Sequence, residues 1–102
     1  MSSILFKLYV AGRTTRSQRA VANLRRLAET EFAGRCEYLV IDVMEDPQAA
    51  EEDRILTTPT LIKVAPAPQR RVTGDLSDPA MVMYALALDG AAPSDPGMGG
   101  DR

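Results

Sequence analysis

Thr57-Thr58-Pro59-Thr60-Leu61-Ile62-Lys63-Val64 is the stretch that decides the fold. Proline has no N–H and biases the residue before it toward extended backbone, so Thr58-Pro59 reads as a break rather than a continuation of helix. The apolar, β-prone run of Leu61, Ile62 and Val64 reads as a strand entered at that proline.

Upstream, Ile4 to Val10 alternates imperfectly and is β-prone at Ile4, Phe6, Tyr9 and Val10, which predicts a buried first strand closed by Gly12. Thr15-Arg16-Ser17-Gln18 fits a capping box at a helix start. Ala20, Val21, Leu24, Leu27, Ala28 and Phe32 then share one helical face, with Arg19 and Arg26 opposite. Gly34 is placed to close that helix in a left-handed conformation. Glu37 to Val43 reads as a second strand, its run Leu39-Val40-Ile41 suggesting burial on both faces. Asp46-Pro47 is a cap followed by proline at the first helical position, and the helix is expected to reach about Leu56 with Glu51, Glu52 and Asp53 exposed.

Downstream of the deciding stretch, Ala65-Pro66-Ala67-Pro68 is a stiff connection lacking two N–H donors. Arg70 to Thr73 reads as a short edge strand closed by Gly74-Asp75, and Ser77-Asp78-Pro79 as another helix start. Met81 to Leu88 is continuously apolar, so periodicity alone does not separate buried helix from buried strand. Its alanines and leucines favour helix. The series is βαβαββα, an α/β domain with helical crossovers. Residues 1–89 are read as the domain, and 90–102 as a disordered Gly/Pro-rich tail.

At 102 residues, 45% hydrophobic and 25% charged, the composition is that of an ordinary globular domain. No apolar run approaches the roughly 20 residues of a membrane span, and the start Met1-Ser2-Ser3-Ile4 reads against a signal peptide. A cytoplasmic setting is expected, since a single cysteine makes no internal disulfide. Net charge is −2, yet residues 1–35 carry +5 and residues 36–102 carry −7, a dipolar surface suited to orienting a protein partner. A pI near 5.0 lacks the basic excess of a nucleic-acid binder.

Candidate chemistry is sparse. Cys36 is the only thiol and no histidine exists to activate it. The absence of histidine also speaks against zinc sites and Ser-His-Asp catalysis. Glu51-Glu52-Asp53 is sequential on a helix and so points in different directions. No glycine-rich phosphate loop follows a strand. Arg70-Arg71 reads either as charge guarding an edge strand or as a contact for an acidic partner.

The threonine-proline entry into a third strand resembles thioredoxin-like folds. In their redox members that proline faces a C-x-x-C pair, where this chain has Val10-Ala11-Gly12-Arg13-Thr14-Thr15. The resemblance implies the scaffold without a C-x-x-C site. A closer resemblance lies in Lys7-Leu8-Tyr9-Val10-Ala11-Gly12, Val40-Ile41-Asp42-Val43, the block from Glu51 to Leu61, and Gly74-Asp75-Leu76-Ser77-Asp78. These blocks, colinear from about Ile4 to Leu88, are similar to the circadian clock KaiB family.

That resemblance implies a non-enzymatic partner of the KaiC ATPase, without cofactor or metal. The family is metamorphic: a ground-state α+β fold, homotetrameric or dimeric, exchanges slowly with a thioredoxin-like monomer that binds the CI ring of KaiC. The bound form sequesters KaiA, where that protein exists, and competes with the sensor kinase SasA. The second half changes fold. The partner contacts expected on this chain are Lys7, Arg19, Arg70 and Arg71, with Ile55 and Leu56 as apolar contacts. Pro59, Pro66 and Pro68 are expected to slow the exchange, because uncatalysed isomerisation takes roughly tens of seconds or more.

Departures from the family pattern bear on this. Glu45-Asp46-Pro47 replaces a common Lys-Asn-Pro and reverses charge near the KaiA surface. Pro66-Ala67-Pro68 replaces Pro-Pro-Pro. Ala85 stands where glycine is common and favours helix by about 1 kcal/mol, roughly fivefold toward the thioredoxin-like form if the other form needs that segment non-helical. The alternatives are a thiol-independent thioredoxin-like adaptor for a sensor kinase or another ATPase outside a clock, and a redox enzyme using Cys36.

Overall fold

A computed structural model of the chain describes residues 3–87. The elements follow the order β1 (Ile4–Val10), α1 (Thr15–Thr30), β2 (Cys36–Asp42), α2 (Pro47–Glu52), β3 (Thr60–Ala65), β4 (Arg70–Thr73) and α3 (Pro79–Ala85). This is the βαβαββα series expected from the sequence. The strands form one sheet in the order β2-β1-β3-β4. β1 is parallel to β2 and antiparallel to β3, and β3 is antiparallel to β4.

Alternation along the strands divides the sheet into two faces. Phe6, Leu8 and Val10 of β1 and Leu61 of β3 meet Ala20, Leu24 and Leu27 of α1 and Val82 and Leu86 of α3 in one core. Lys7 and Tyr9 point to the other face, where the backbone of α2 receives the Tyr9 hydroxyl. Asn23 of α1 donates to the Asp75 carbonyl at 2.7 Å, tying that helix to the β4–α3 connection.

Several local expectations are corrected. The cap of α1 is Thr14 rather than Thr15, its hydroxyl accepting from the Ser17 amide. Ser17 is buried and its own hydroxyl accepts from the Ala11 amide, so the helix start is drawn one residue toward the end of β1. Gly34 is left-handed as expected, with Ala33 left-handed beside it.

β2 is not buried on both faces. The crossover through α1 sets it beside β1 while β3 takes the other side, which leaves β2 at an edge with Leu39 57% and Val40 44% exposed.

α2 stops at Glu52 instead of running to Leu56. Arg54 adopts a left-handed φ of 55°, the Ile55 amide reaches back to the Ala50 carbonyl and the Arg54 amide to that of Glu51. This double bond pattern ends a helix in the way glycine normally does. Here arginine occupies the position, so no glycine marks the stop. Asp53, expected to be exposed, turns toward the sheet.

The ambiguous apolar run is helical from Met81 to Ala85, so Ala85 closes α3. Leu88 and the expected tail 90–102 lie outside the described residues. The peptide bonds before Pro59, Pro66 and Pro68 are cis.

Candidate functional site

The second face of the sheet carries a compact polar cluster. Tyr9 is fully buried, and its hydroxyl lies within bonding distance of both the Asp53 carboxylate and the Ala49 carbonyl of α2, the latter at 3.2 Å. Lys7, two residues earlier on the same face of β1, places its ammonium 3.2 Å from the same Asp53 oxygen. Arg71 reaches in from β4 and donates to the Asp53 carbonyl at 2.9 Å and the Arg54 carbonyl at 3.4 Å. These carbonyls belong to the end of α2, where unsatisfied C=O groups and the helix dipole favour a cation.

The cluster polarises its members. The Tyr9 hydroxyl, donated to Asp53, holds that carboxyl below the usual range; burial opposes it, while Lys7 and the charge of Arg71 act in the same direction as Tyr9. Burial pushes the Tyr9 phenol far above its ordinary value, with the Asp53 bond and charge adding to it, so Tyr9 remains a protonated donor. α2 buries no residue of its own. Its attachment to the sheet therefore depends on these polar contacts rather than on an apolar stripe.

Immediately beyond the cluster, Ile55 is half-buried and Leu56 is 96% exposed. A leucine held that far into solvent, on a connection anchored at both ends by Asp53 and by Pro59, is a presented side chain. Met44, at the other end of α2, is 75% exposed.

The residues expected to bind do not form one surface. Lys7, Arg71, Ile55 and Leu56 gather around the end of α2. Lys7 and Arg71 are occupied there by Asp53 and by carbonyls. Arg19 lies on the exposed side of α1, across the sheet. Arg70 projects from the opposite face to Arg71, because neighbours on a strand alternate.

Tyr9 and Asp53 are the members that sequence reading missed. The clue available was the polar tip of Tyr9 on the same pleat as Lys7, which requires a partner when buried. Asp53 carries no such mark.

The place that a cysteine pair would take is filled by internal hydrogen bonds. The Gly12 amide donates to the Asp42 carboxylate at 3.0 Å and the Ala11 amide to the Ser17 hydroxyl at 3.1 Å. Cys36 pairs with Ile4 at the far end of the sheet, whereas Pro59 precedes Thr60, the partner of Tyr9. Ile4 and Tyr9 are five steps apart along β1, about 17 Å at 3.3–3.4 Å per residue. Burial raises the Cys36 thiol pKa, which lowers its thiolate fraction. Among the described residues, no group of three potential metal ligands occurs, and no helix is long and apolar enough to cross a membrane.

Fold and site together define a thioredoxin-like α/β domain without a C-x-x-C pair, whose distinctive surface is a presented apolar loop. The comparisons agree. The N-terminal domain of Synechococcus elongatus SasA superposes with a TM-score of 0.68 at 28% identity, covering 91% of each chain. Mitochondrial thioredoxin 3 of Saccharomyces cerevisiae gives 0.66 at 16% identity, covering 84% of this chain and 78% of that one, a likeness of fold alone.

The KaiB domain family model matches residues 7–88. The circadian clock oscillator protein KaiB of Parasynechococcus marenigrum is 55% identical over 84 residues, 82% of this chain and 81% of that protein. The KaiB of Acaryochloris marina is 53% identical over 92 residues, 86% and 88% of the two chains. The chain belongs to the KaiB family of circadian clock proteins.

Proposed function

We propose that this chain is a non-enzymatic regulator in a circadian clock or timer, that it binds the ring of a KaiC-type ATPase in the thioredoxin-like form, and that binding modulates the ATPase's phosphorylation cycle. Leu56 carries the reading: a leucine 96% exposed, beside half-buried Ile55 on a loop anchored through Asp53, is an apolar contact held open to a partner. Binding by conformational selection makes apparent affinity scale with the population of this form, which shifts if the chain also adopts a ground-state oligomer. The likeness to the SasA domain supports competition between two proteins of one fold for one partner surface.

The test is co-elution of the full chain with the KaiC-type ATPase of its own organism, with ATP present. The wild type should form a complex. Leu56→Asp should weaken it by about 30-fold, the equivalent of about 2 kcal/mol at a buried interface leucine, with an unchanged thermal melt. No complex with any phosphorylation state of the ATPase would overturn the proposal. Retained binding to a sensor kinase in that case would favour an adaptor role outside a clock.

A further inference from the structure

Across the sheet from Leu56, one flank of α1 carries a groove that the proposed binding surface does not use. It has a volume of about 230 Å³ and is lined by Gly12, Ser17, Gln18, Val21, Ala22 and Arg25. Ser17, Val21 and Arg25 recur every four residues, as do Gln18 and Ala22, which puts them side by side along the helix. Asn23, on the opposite flank, is tied to the Asp75 carbonyl. Gly12 is held as the end wall, because its amide donates to the Asp42 carboxylate at 3.0 Å.

The polar side chains lining the groove all have protons to give. The Ser17 oxygen already accepts from the Ala11 amide at 3.1 Å and from the Thr14 hydroxyl at 2.9 Å. Its own O–H is what remains, and among the described residues no acceptor meets it. Ser17 is only 2% exposed, and a buried polar proton left unbonded is unfavourable. Among the described residues the Gln18 amide and the Arg25 guanidinium also enter no hydrogen bond, and the ion pair found there joins Lys7 and Asp53. Arg13, Arg16, Arg19, Arg25 and Arg26 stand in a stretch without an acidic residue. The first turn of α1 has none either, so the helix dipole adds to a positive potential.

We propose that this groove binds a carboxylate carried on a short aliphatic stem. The fork of Arg25 matches both oxygens of a carboxylate. Side chains on a helix lean toward its N-terminus, so Arg25 extends along Val21 toward Gln18 and Ser17. The Gln18 amide and the Ser17 O–H supply further donors, and Val21 with Ala22 covers the stem. The volume lies below the roughly 300 Å³ at which sites for drug-sized ligands begin, so the occupant is small. Two sources offer that chemistry: a free short-chain acid, or the side chain of a glutamate on another protein.

The site is tested by titrating the full chain with butyrate at constant ionic strength and following the backbone amides by NMR. Butyrate should move the Gly12, Ser17, Gln18 and Val21 amides saturably. Arg25→Gln should weaken binding by about tenfold, the loss expected when a charge-assisted contact is removed. Arg26→Gln removes the same charge from the same helix outside the groove, and should weaken binding by less than about twofold. Ala22→Leu fills the groove from an exposed helix position and should abolish the shifts with an unchanged thermal melt. Glutamate capped at its amino and α-carboxyl groups is the second probe. Tighter binding than butyrate assigns the carboxylate to a protein partner and weaker binding to a free acid, and either result sustains the site. Shifts that do not saturate, equal losses in Arg25→Gln and Arg26→Gln, or binding that survives Ala22→Leu overturn the proposal. So does the same response to butylammonium, which has the stem and the opposite charge.

Discussion

Replacing Tyr9 with phenylalanine removes one oxygen from the interior and leaves the ring in place. In the native protein that oxygen bridges β1 to α2 through the Asp53 carboxylate and the Ala49 carbonyl. A hydrogen bond to a charged group contributes about 1.5–3 kcal/mol. The lower part of that range applies here, because Lys7 still pairs with Asp53 and a 23% exposed carboxylate retains some water. A loss of about 2 kcal/mol follows at neutral pH, roughly a thirtyfold fall in the folded-to-unfolded ratio. With a urea m-value of about 1–2 kcal/mol/M, the unfolding midpoint should fall by roughly 1–2 M.

The pH dependence separates this account from simple loss of packing. The Asp53 carboxyl is held below its ordinary value in the folded state, with the Tyr9 bond as the first cause. A depressed carboxyl contributes stability that is present above its unfolded pKa, about 3.9, and disappears as pH falls through the folded value. The gap between wild type and Tyr9→Phe should therefore be full at pH 7 and narrow in acid below about pH 4. Urea titrations of both proteins at neutral and acid pH measure it. Equal midpoints at pH 7, or a gap that stays constant into acid, would refute the role given to the Tyr9–Asp53 bond.

Three further outcomes follow from the same structure. Arg71→Ala should cost about 1 kcal/mol and speed amide exchange from Glu51 to Leu56, whereas Arg70→Ala should leave that segment unchanged; equal exchange in both would contradict the assignment of Arg71 to the α2 carbonyls. Arg54→Gly should raise the thermal midpoint, since glycine meets a φ of 55° without the penalty of about 1 kcal/mol that a side chain carries there, less its greater freedom in the unfolded chain; a lower midpoint would count against the cap. Cys36 should react with a maleimide more slowly than a free cysteine at neutral pH, because burial raises its pKa, and Cys36→Ser should leave partner binding intact. Labelling at the rate of free cysteine would show the thiol to be open.

Much of the fold was legible because its signals are local. Proline before β3, proline at the first position of α2 and α3, and apolar spacing along α1 each act within a few residues. The ends of elements were less legible. α2 ends at Arg54, and nothing in the side chain of arginine announces a left-handed residue. The apolar run of β2 looked central because hydrophobicity reports the cost of exposure, and an edge strand that presents Leu39 and Val40 carries the same run. The separation of Arg70 from Arg71 was readable in principle, since alternation puts neighbouring strand residues on opposite faces.

By itself, the amino-acid order determined the succession of elements, the missing cysteine pair before Pro59, and the blocks that mark the KaiB family. These depend on short-range sterics and on motif chemistry. Tertiary structure alone decided that Lys7 and Tyr9 meet Asp53 across sequence separations of 46 and 44, that Arg71 caps the helix ending there, and that Leu56 is left in water beside them. Each of these follows from strand order and register, which are set by how the whole chain buries its apolar faces and which no local window contains.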